Sequence, residues 1–296
     1  MKVSIITIAY NNLDGLRDTY QSIKRQTFGS YEWIVVDGGS TDGTKEFLQE
    51  HDSEIAWWCC ERDRGVYNAQ NKGTEHAQGE YCIYMNSGDS FYKDDVLERI
   101  FERQIDADII YGDWMLVFQD GTTRLGPAPE VPDMAYFFNE NICHQSMLVK
   151  TEIILNRPYD ESFSIYGDWD EWLNAFMQGK RFERVDIVIC KFIVGGLSTG
   201  DSNTLDTKRK VEMQRLKEKY YPEPWRKTMS RVGSIVQEYN ALKSYDSTSS
   251  LSAAFYERKF LIEKRRKHNK IIRILIYISS LLLVTNILTL IYFLCK

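Results

Sequence analysis

The sequence lacks the patterns of several common kinds of site. None of its six cysteines belongs to a CxxC pair, and its four histidines do not fall at the spacing of zinc ligands. The glycine-containing segment 38–43 has neither the GK[ST] of a phosphate-cradling loop nor the GxGxxG of a dinucleotide-binding fold. We therefore expect no zinc site and no dinucleotide site of the usual kind, and we expect the cysteines to be reduced thiols.

Basic residues are scarce in the first two-thirds of the chain. Residues 1–204 carry 18 Lys and Arg against 34 Asp and Glu, a net charge of −16, whereas residues 205–296 carry 19 against 8, a net charge of +11. Nucleic-acid binding requires a positive surface, so the acidic part is not expected to bind nucleic acid. The basic part is expected to meet an acidic partner, and an anionic lipid surface is the first candidate.

The end of the chain contains one long apolar run. The 22 residues 274–295 carry no charge, and as a helix they would extend about 33 Å, enough to cross a hydrocarbon core of about 30 Å. The basic cluster 264–270 precedes the run, and such clusters stay on the cytoplasmic side. We predict a single transmembrane helix at 271–295, with a buried core helix as the alternative.

The first 110 residues alternate apolar strands with amphipathic helices. Continuous apolar strands separated by helices predict an α/β fold whose central sheet is mostly parallel and has helices on both faces. Strands are predicted at Val3–Ala9, Tyr31–Val36, Ile55–Cys60, Tyr81–Met85 and Asp108–Tyr111, and helices at Leu13–Gln26, Thr44–Glu50, Tyr67–Ala77 and Val96–Arg103.

The pattern changes after residue 112. A hairpin is predicted around Asp120-Gly121, followed by a strand at His144–Val149, a helix at Asp168–Met177 and a strand at Arg181–Phe192. We expect three parts: a catalytic-type domain at 1–200, a basic helical extension at 201–270, and the transmembrane helix at 271–295.

Acidic residues follow two of the predicted parallel strands. Asp37 follows the second strand and Asp89 lies shortly after the fourth, and ligands in such sheets bind beyond the carboxyl ends of the strands. Two carboxylates at this edge suit a nucleotide sugar, one near the base or ribose and one near a divalent ion on the diphosphate. A capped turn at 37–44 is the alternative interpretation of the first acid.

These motifs together resemble the large inverting glycosyltransferase family usually called family 2, which has the GT-A fold. The resemblance covers residues 3 to about 198. It rests on the opening strand with Tyr10-Asn11-Asn12, VVDGGSTDGT at 35–44, ERDRGVYNAQNKG at 61–73, MNSGD at 85–89, His144-Gln145, GDWD at 167–170 and Gly-Gly-Leu-Ser at 195–198.

The resemblance implies a role for each matched residue. Asp89 would hold a divalent cation, Mg²⁺ or Mn²⁺, and Asp168 would be the general base, with Asp170 as the alternative base and a helix cap as the alternative role of Asp168. Ser87 stands where the family's metal motif has its first Asp. The remaining residues would surround the substrates: Tyr10, Asn11, Asp37, Asp63 and Asn71 the nucleotide, and His144 and Gln145 the sugar or acceptor, a structural histidine being the other interpretation of His144.

The sequence therefore predicts a membrane-anchored glycosyltransferase whose catalytic domain is cytoplasmic. The donor would be a nucleotide sugar, with UDP as the first candidate, and the acceptor a lipid-linked glycan or another glycan. A non-catalytic nucleotide-sugar-binding scaffold and a nucleotidyltransferase are the alternatives. The latter is disfavoured because residues 8–16 lack the glycine-rich loop with a basic residue.

Overall fold

A computed structural model describes residues 2–195 and 203–231. The chain divides into two compact units, Met1–Tyr220 and Tyr221–Lys296. The predicted transmembrane helix, the basic cluster 264–270 and the Gly-Gly-Leu-Ser motif beyond residue 195 lie outside the described residues. Within the part that is described, no helix combines the length and apolar character needed to cross a bilayer.

The first unit alternates strands and helices up to residue 101 and then becomes irregular. The strands are β1 Val3–Ala9, β2 Tyr31–Asp37, β3 Trp57–Cys60, β4 Tyr81–Tyr84, β5 Ser90–Phe91, β6 Ile109–Val117, β7 Thr123–Gly126, β8 Met147–Lys150 and β9 Phe182–Ile193. The helices are α1 Leu13–Lys24, α2 Thr44–Glu50, α3 Val66–Glu75, α4 Val96–Phe101, α5 Met134–Asn139, α6 Thr151–Asn156, α7 Gly167–Met177 and α8 Asn203–Tyr220. Two short 3-10 helices lie at Asp52–Glu54 and His144–Ser146.

The nine described strands form one sheet in the order β3-β2-β1-β4-β8-β6-β9-β5, with β7 added beside β6. Strands β1 to β4 are parallel to one another, as predicted. Strand β8 runs antiparallel to both β4 and β6, and β5 and β7 are also antiparallel to their partners. Among the described strands, parallel pairing recurs only between β6 and β9, so the expectation of a mostly parallel sheet holds for the first four strands and the whole sheet is mixed. The short β6–β7 connection lacks the crossover that parallel pairing requires.

Both faces of the parallel half are covered, which explains its continuous apolar strands. Ile5 and Ile6 point to opposite faces of β1, and both are fully buried. Ile5 shares a core with Leu16 of α1. On the other face, Ile6 lies so close to Gly73 of α3 that a Cβ there would be 2.5 Å from the Ile6 side chain. The predicted layers of helices on both faces of this part of the sheet are thus confirmed.

Two local predictions differ from the structure. The predicted strand at His144–Val149 begins with a 3-10 helix over His144–Ser146, because Ser146 N–H donates to the Cys143 carbonyl, and the strand starts at Met147. The predicted strand at 108–111 and the first arm of the hairpin are one long strand, β6, whose register with β9 shifts around Asp113.

In the second unit, the described residues 221–231 begin with a turn and continue as a helix over 223–231. The ring of Tyr221 stacks on that of Trp225, with 4.9 Å between the ring centroids.

Candidate functional site

A cavity of about 780 Å³ opens beyond the carboxyl ends of β1 and β4. It is bounded by the segment after β3, the 3-10 helix 144–146, the start of α7 and the ends of β6 and β9. This is the edge of the sheet at which the sequence placed the ligand. Six of the nine predicted site residues line it: Tyr10, Asp63, Asp89, His144, Gln145 and Asp168.

The side chains of Tyr10 and Asp63 both lie close to the bare backbone of Gly38. A Cβ on Gly38 would lie 2.6 Å from Asp63 Oδ2 and 3.2 Å from Tyr10 Cδ2, so a side chain at this position would displace both. The Tyr10 side chain is 67% exposed, and Asp63 Oδ1 accepts from the Gly65 N–H at 2.9 Å. An exposed aromatic ring beside a carboxylate can stack on a nucleobase and accept hydrogen bonds from a base or ribose.

Asp37 and Asn11 shape this region without lining the cavity. Asp37 is fully buried; its Oδ2 accepts from Ser40 N–H at 2.9 Å, and its Oδ1 accepts from the Ser40 hydroxyl. Burial, together with a hydrogen bond to Asp37, raises the pKa of the Cys60 thiol to about 11. Asn11 Oδ1 accepts from Thr41 N–H at 2.9 Å. Both predicted nucleotide contacts thus hold the 38–41 turn.

Asn71 also does not line the cavity. Its amide makes two hydrogen bonds to the backbone of Tyr159, with Nδ2 donating to the carbonyl and Oδ1 accepting from the N–H, each at 2.9 Å. The side chain is only 8% exposed. Asn71 therefore fixes the backbone of the 159–161 segment, and Asp63 is the one acid of the predicted nucleotide set that lines the cavity.

Asp89 is a buried carboxylate at the cavity wall, only 5% exposed. Its Oδ1 accepts from Ile193 N–H at 3.0 Å, and its Oδ2 accepts from Gln145 Nε2 at 2.7 Å. Burial raises the pKa of Asp89 to about 6, while these two hydrogen bonds and the nearby His144 act in the opposite direction. Near neutral pH the Asp89 carboxylate is therefore ionised, and the two groups that donate hydrogen bonds to it are both uncharged.

Asp168 lies in the first turn of α7 and accepts hydrogen bonds on both oxygens. Oδ1 accepts from the Trp169 N–H at 2.8 Å and from the Tyr67 hydroxyl at 3.2 Å. Oδ2 lies 3.2 Å from His144 Nδ1 and accepts from Asn141 Nδ2 at 3.3 Å. The helix cap itself is the residue Tyr166. Asp168 is therefore part of a polar cluster in the cavity and is not the N-cap.

The neighbouring acids Asp170 and Glu171 point elsewhere. Both are fully buried and ion-paired with Arg157, and Asp170 also pairs with Lys219 Nζ at 2.6 Å. Burial raises the pKa of Glu171 to about 7 despite the Arg157 guanidinium. Of the three acids in this part of α7, only Asp168 lines the cavity, so the alternative base Asp170 is not placed to meet a substrate there.

The adjacent residues His144 and Gln145 connect the two acids of the site. Gln145 donates to Asp89, and His144 contacts Asp168 through Nδ1. The other ring nitrogen of His144 lies 3.0 Å from Asn86 Nδ2, so an amide that donates there leaves the proton on Nδ1, facing Asp168. A single 3-10 turn thus positions groups against both carboxylates.

Sequence reasoning missed four residues that organise the site. Asn86, Tyr67 and Asn141 surround His144 and Asp168, as described above; the first two belong to quoted motifs but received no role. Glu212 of α8 accepts from three consecutive backbone N–H groups, those of residues 164, 165 and 166, at 2.7, 2.9 and 3.0 Å. No local signal in the basic extension could reveal that contact, because its partners are about 50 residues away.

The surroundings of Asp89 fit a divalent cation that is coordinated mainly by substrate phosphates and by a single protein carboxylate. No cluster of three or more metal-ligating side chains occurs among residues 2–195 and 203–231. Ser87 contributes a hydroxyl that is already bonded to Asn12 Nδ2 at 2.8 Å. Mg²⁺ is commonly bound by one or two carboxylates together with substrate phosphates, and a single buried Asp89 matches that pattern.

Known proteins share both the sequence pattern and the fold. A family profile described as Glycosyl transferase family 2 matches residues 4–164. A PGL/p-HBAD biosynthesis glycosyltransferase of Mycobacterium bovis (strain BCG / Pasteur 1173P2) is 29% identical over 204 residues, which cover 66% of this chain and 78% of that protein.

Two solved structures share the fold at low sequence identity. The S. aureus TarS 1-349 structure in complex with UDP gives a TM-score of 0.54 at 18% identity and covers 73% of this chain, which spans only 64% of that one. The mannosyltransferase PcManGT from Pyrobaculum calidifontis, in complex with GDP-Man and Mn²⁺, gives 0.55 at 16% identity over 90% of this chain and 83% of that one. The fold is therefore GT-A-like, and the chain belongs to glycosyl transferase family 2.

Proposed function

We propose that this glycosyltransferase moves a sugar, with inversion, from a nucleoside-diphosphate sugar to a hydroxyl of a lipid-linked glycan. The observation that carries the proposal is the pair Asp89 and Asp168 in one cavity, on either side of the His144–Gln145 turn. Inverting transfer requires a base on the acceptor side and charge compensation on the leaving-group side, with no enzyme nucleophile. The two acids supply one group for each side.

Six residues of the cavity would take part in the reaction. Tyr10 would stack on the base and Asp63 would accept hydrogen bonds from the nucleoside, with UDP as the first carrier to test. Asp168 would accept the proton of the acceptor hydroxyl while His144 and Tyr67 hold its carboxylate. Asp89 would hold a divalent cation, Mg²⁺ or Mn²⁺, which when bound would supply positive charge against the leaving diphosphate.

The membrane is the proposed location of the reaction, with the catalytic domain on the cytoplasmic side. This rests on the sequence of residues 264–295, where a basic cluster precedes 22 uncharged residues. The division into a domain at 1–200, an extension at 201–270 and an anchor at 271–295 is a proposal that also rests on the sequence. A membrane-embedded acceptor would then reach an enzyme anchored in the same membrane.

A non-catalytic scaffold that binds nucleotide sugars is the competing proposal. It is favoured by Ser87 at the first position of the metal motif, since one carboxylate alone holds a cation weakly. The two proposals agree on donor binding and differ on whether a sugar is transferred.

The test uses the full chain in membranes. A thermal-shift screen against UDP, GDP and dTDP sugars, with Mg²⁺ and Mn²⁺, identifies the donor, because a ligand that binds the folded form raises its melting temperature. Radiolabelled donor is then incubated with membrane lipids, and the lipid fraction is counted. Sugar in that fraction from wild type and from Asp120→Asn, a control in the hairpin turn, supports transfer. Binding without incorporation would leave the scaffold as the function.

A further inference from the structure

One wall of the cavity is an apolar strip at the ends of β6 and β9. Side chains at alternate positions of β6 line the cavity and the intervening ones do not, as expected for one face of a strand. The parallel register places Leu116 beside Phe192, so the two strands present one continuous face. The apolar strip consists of Trp114, Leu116, Phe192 and Val194, all half-buried.

Trp114 is supported by a glycine on the neighbouring strand. Gly126 of β7 is paired with Trp114, and a Cβ there would lie 2.2 Å from the indole Nε1 and Cε2 atoms. The indole therefore lies directly against the bare backbone of β7. A large aromatic surface is held in place at the cavity wall while part of it remains exposed to solvent, which is a favourable arrangement for an apolar ligand.

The strip borders the reacting groups. The Ile193 N–H, between Phe192 and Val194, donates to Asp89 at 3.0 Å, and Asp168 lines the same cavity. A nucleoside diphosphate and its sugar are polar and match Tyr10, Asp63 and Asp89. Apart from the indole N–H of Trp114, which lies against the backbone of Gly126, the strip offers these groups no hydrogen-bonding side chain. It suits an apolar part of the second substrate.

We infer that the apolar strip is a subsite for the alkyl or aryl aglycone of the acceptor. The acceptor would then be an amphipathic glycoside that presents a hydroxyl to Asp168 and lays its apolar group along Trp114 and Phe192. This inference rests on the proposed function and adds the class of acceptor to it. It commits to an aglycone in the cavity, and contact of the strip with the bilayer itself is the competing outcome.

The experiment uses the full chain in phospholipid nanodiscs with octyl β-D-glucopyranoside that carries a diazirine at the end of its chain. After irradiation, labelled peptides are mapped by mass spectrometry. We expect labels on residues 114–118 and 192–194, and we expect Trp114→Ala to reduce labelling about tenfold, as for other apolar pocket contacts. Leu125→Ala is the matched control, because Leu125 is paired with Met115 on the opposite face of the same hairpin and is 47% exposed.

Two results would overturn the subsite. One is equal labelling of wild type and Trp114→Ala when both melt alike and are stabilised alike by UDP. The other is labelling of the strip by a diazirine phospholipid and not by the glycoside, which would assign it to the bilayer. The subsite and the proposed function fail separately. Strip labelling without sugar transfer from any donor supports the subsite and contradicts the function, whereas transfer with labels elsewhere does the reverse.

Discussion

At the scale of single residues, the proposed cation-binding role of Asp89 conflicts with the stability of the folded state. Burial raises its pKa from 3.8 to about 6, so the folded protein keeps this proton to a higher pH than the unfolded chain does. Deprotonation therefore costs stability progressively as the pH rises from about 4 to about 6, and the full cost applies above that range. If Asp89 holds a cation, as proposed, it must be ionised, and the folded state then loses this part of its stability.

The variant Asp89→Asn tests that conflict. At pH 7 we expect it to exceed wild type in free energy of unfolding by up to about 3 kcal/mol, and the gain should shrink as the pH falls from 6 to 4. Urea unfolding across this pH series measures the effect. The same variant should lose cation-dependent donor binding. A stability difference that does not change with pH would contradict the assignment.

Asp168 should behave in the opposite way, with a large effect on rate and a small one on stability. In Asp168→Asn, an amide nitrogen at the Oδ2 position faces Asn141 Nδ2, so the Asn141 amide must flip to present Oδ1, a buried oxygen that has no hydrogen-bond partner in the structure. His144 can accept at Nδ1 if its proton moves to Nε2 and the Asn86 amide flips to accept that proton on Oδ1, which is also buried without a partner. We expect near-normal melting, retained donor binding and a transfer rate lower by about 10²–10⁴-fold.

The matched comparison for that variant is Asp170→Asn. Asp170 is fully buried and ion-paired with Arg157 and Lys219. Its replacement should therefore lower the melting temperature, whereas Asp168→Asn should leave the melting temperature nearly unchanged. A normally melting Asp168→Asn that transfers sugar at the wild-type rate would remove Asp168 as the base.

At the scale of elements, α8 supports the turn before Asp168, the proposed base. Glu212 collects three backbone N–H groups immediately before α7, and Asp168 follows two residues after the last of them. Carboxylate bonds to N–H groups at a helix start are strong because charge and helix dipole act together.

We expect Glu212→Ala to lower the free energy of unfolding by on the order of 3 kcal/mol, because it leaves these N–H groups without their acceptor. If Asp168 is the base, as proposed, the transfer rate should fall more than donor affinity, since the turn before Asp168 loses its support. Denaturant unfolding and steady-state kinetics measure the two effects. Glu218→Ala, at an exposed position of the same helix, is the control and should change stability by less than about 0.5 kcal/mol. Equal effects of both variants would refute a specific role for Glu212.

At the scale of the whole molecule, charge and apolarity are divided along the chain. Residues 1–204 carry −16 and residues 205–296 carry +11. If the run 274–295 is an anchor, removal of residues 271–296 should release the protein from membranes only partly. Each Lys or Arg of the basic cluster 264–270, which the truncated chain would retain, contributes about 1 kcal/mol of binding free energy near an anionic surface, and salt screens that contribution.

Flotation with anionic and neutral vesicles at low and high salt measures this behaviour. The truncated chain should bind anionic vesicles at low salt only, and the full chain should resist both high salt and carbonate. A truncated chain that is fully soluble at low salt would contradict the surface role of the basic segment. A full chain that washes off in carbonate would contradict the anchor.

The sequence alone was sufficient for what local patterns encode. Apolar runs and helical periodicity determined β1 to β4 and α1 to α4 to within a few residues, because each of these elements buries its own side chains. The position of Asp89 beyond a strand and of Asp168 at a helix start followed from the same patterns.

The tertiary structure decided what depends on distant partners. Asn71 bonds Tyr159, Asp37 satisfies its own turn, and Arg157 occupies Asp170 and Glu171, which leaves Asp168 in the cavity. The mixed order of the later strands and the support from Glu212 belong to the same class. Such pairings join residues far apart in the chain, and the free energy that selects them comes from burial and hydrogen bonding that no local window of sequence contains.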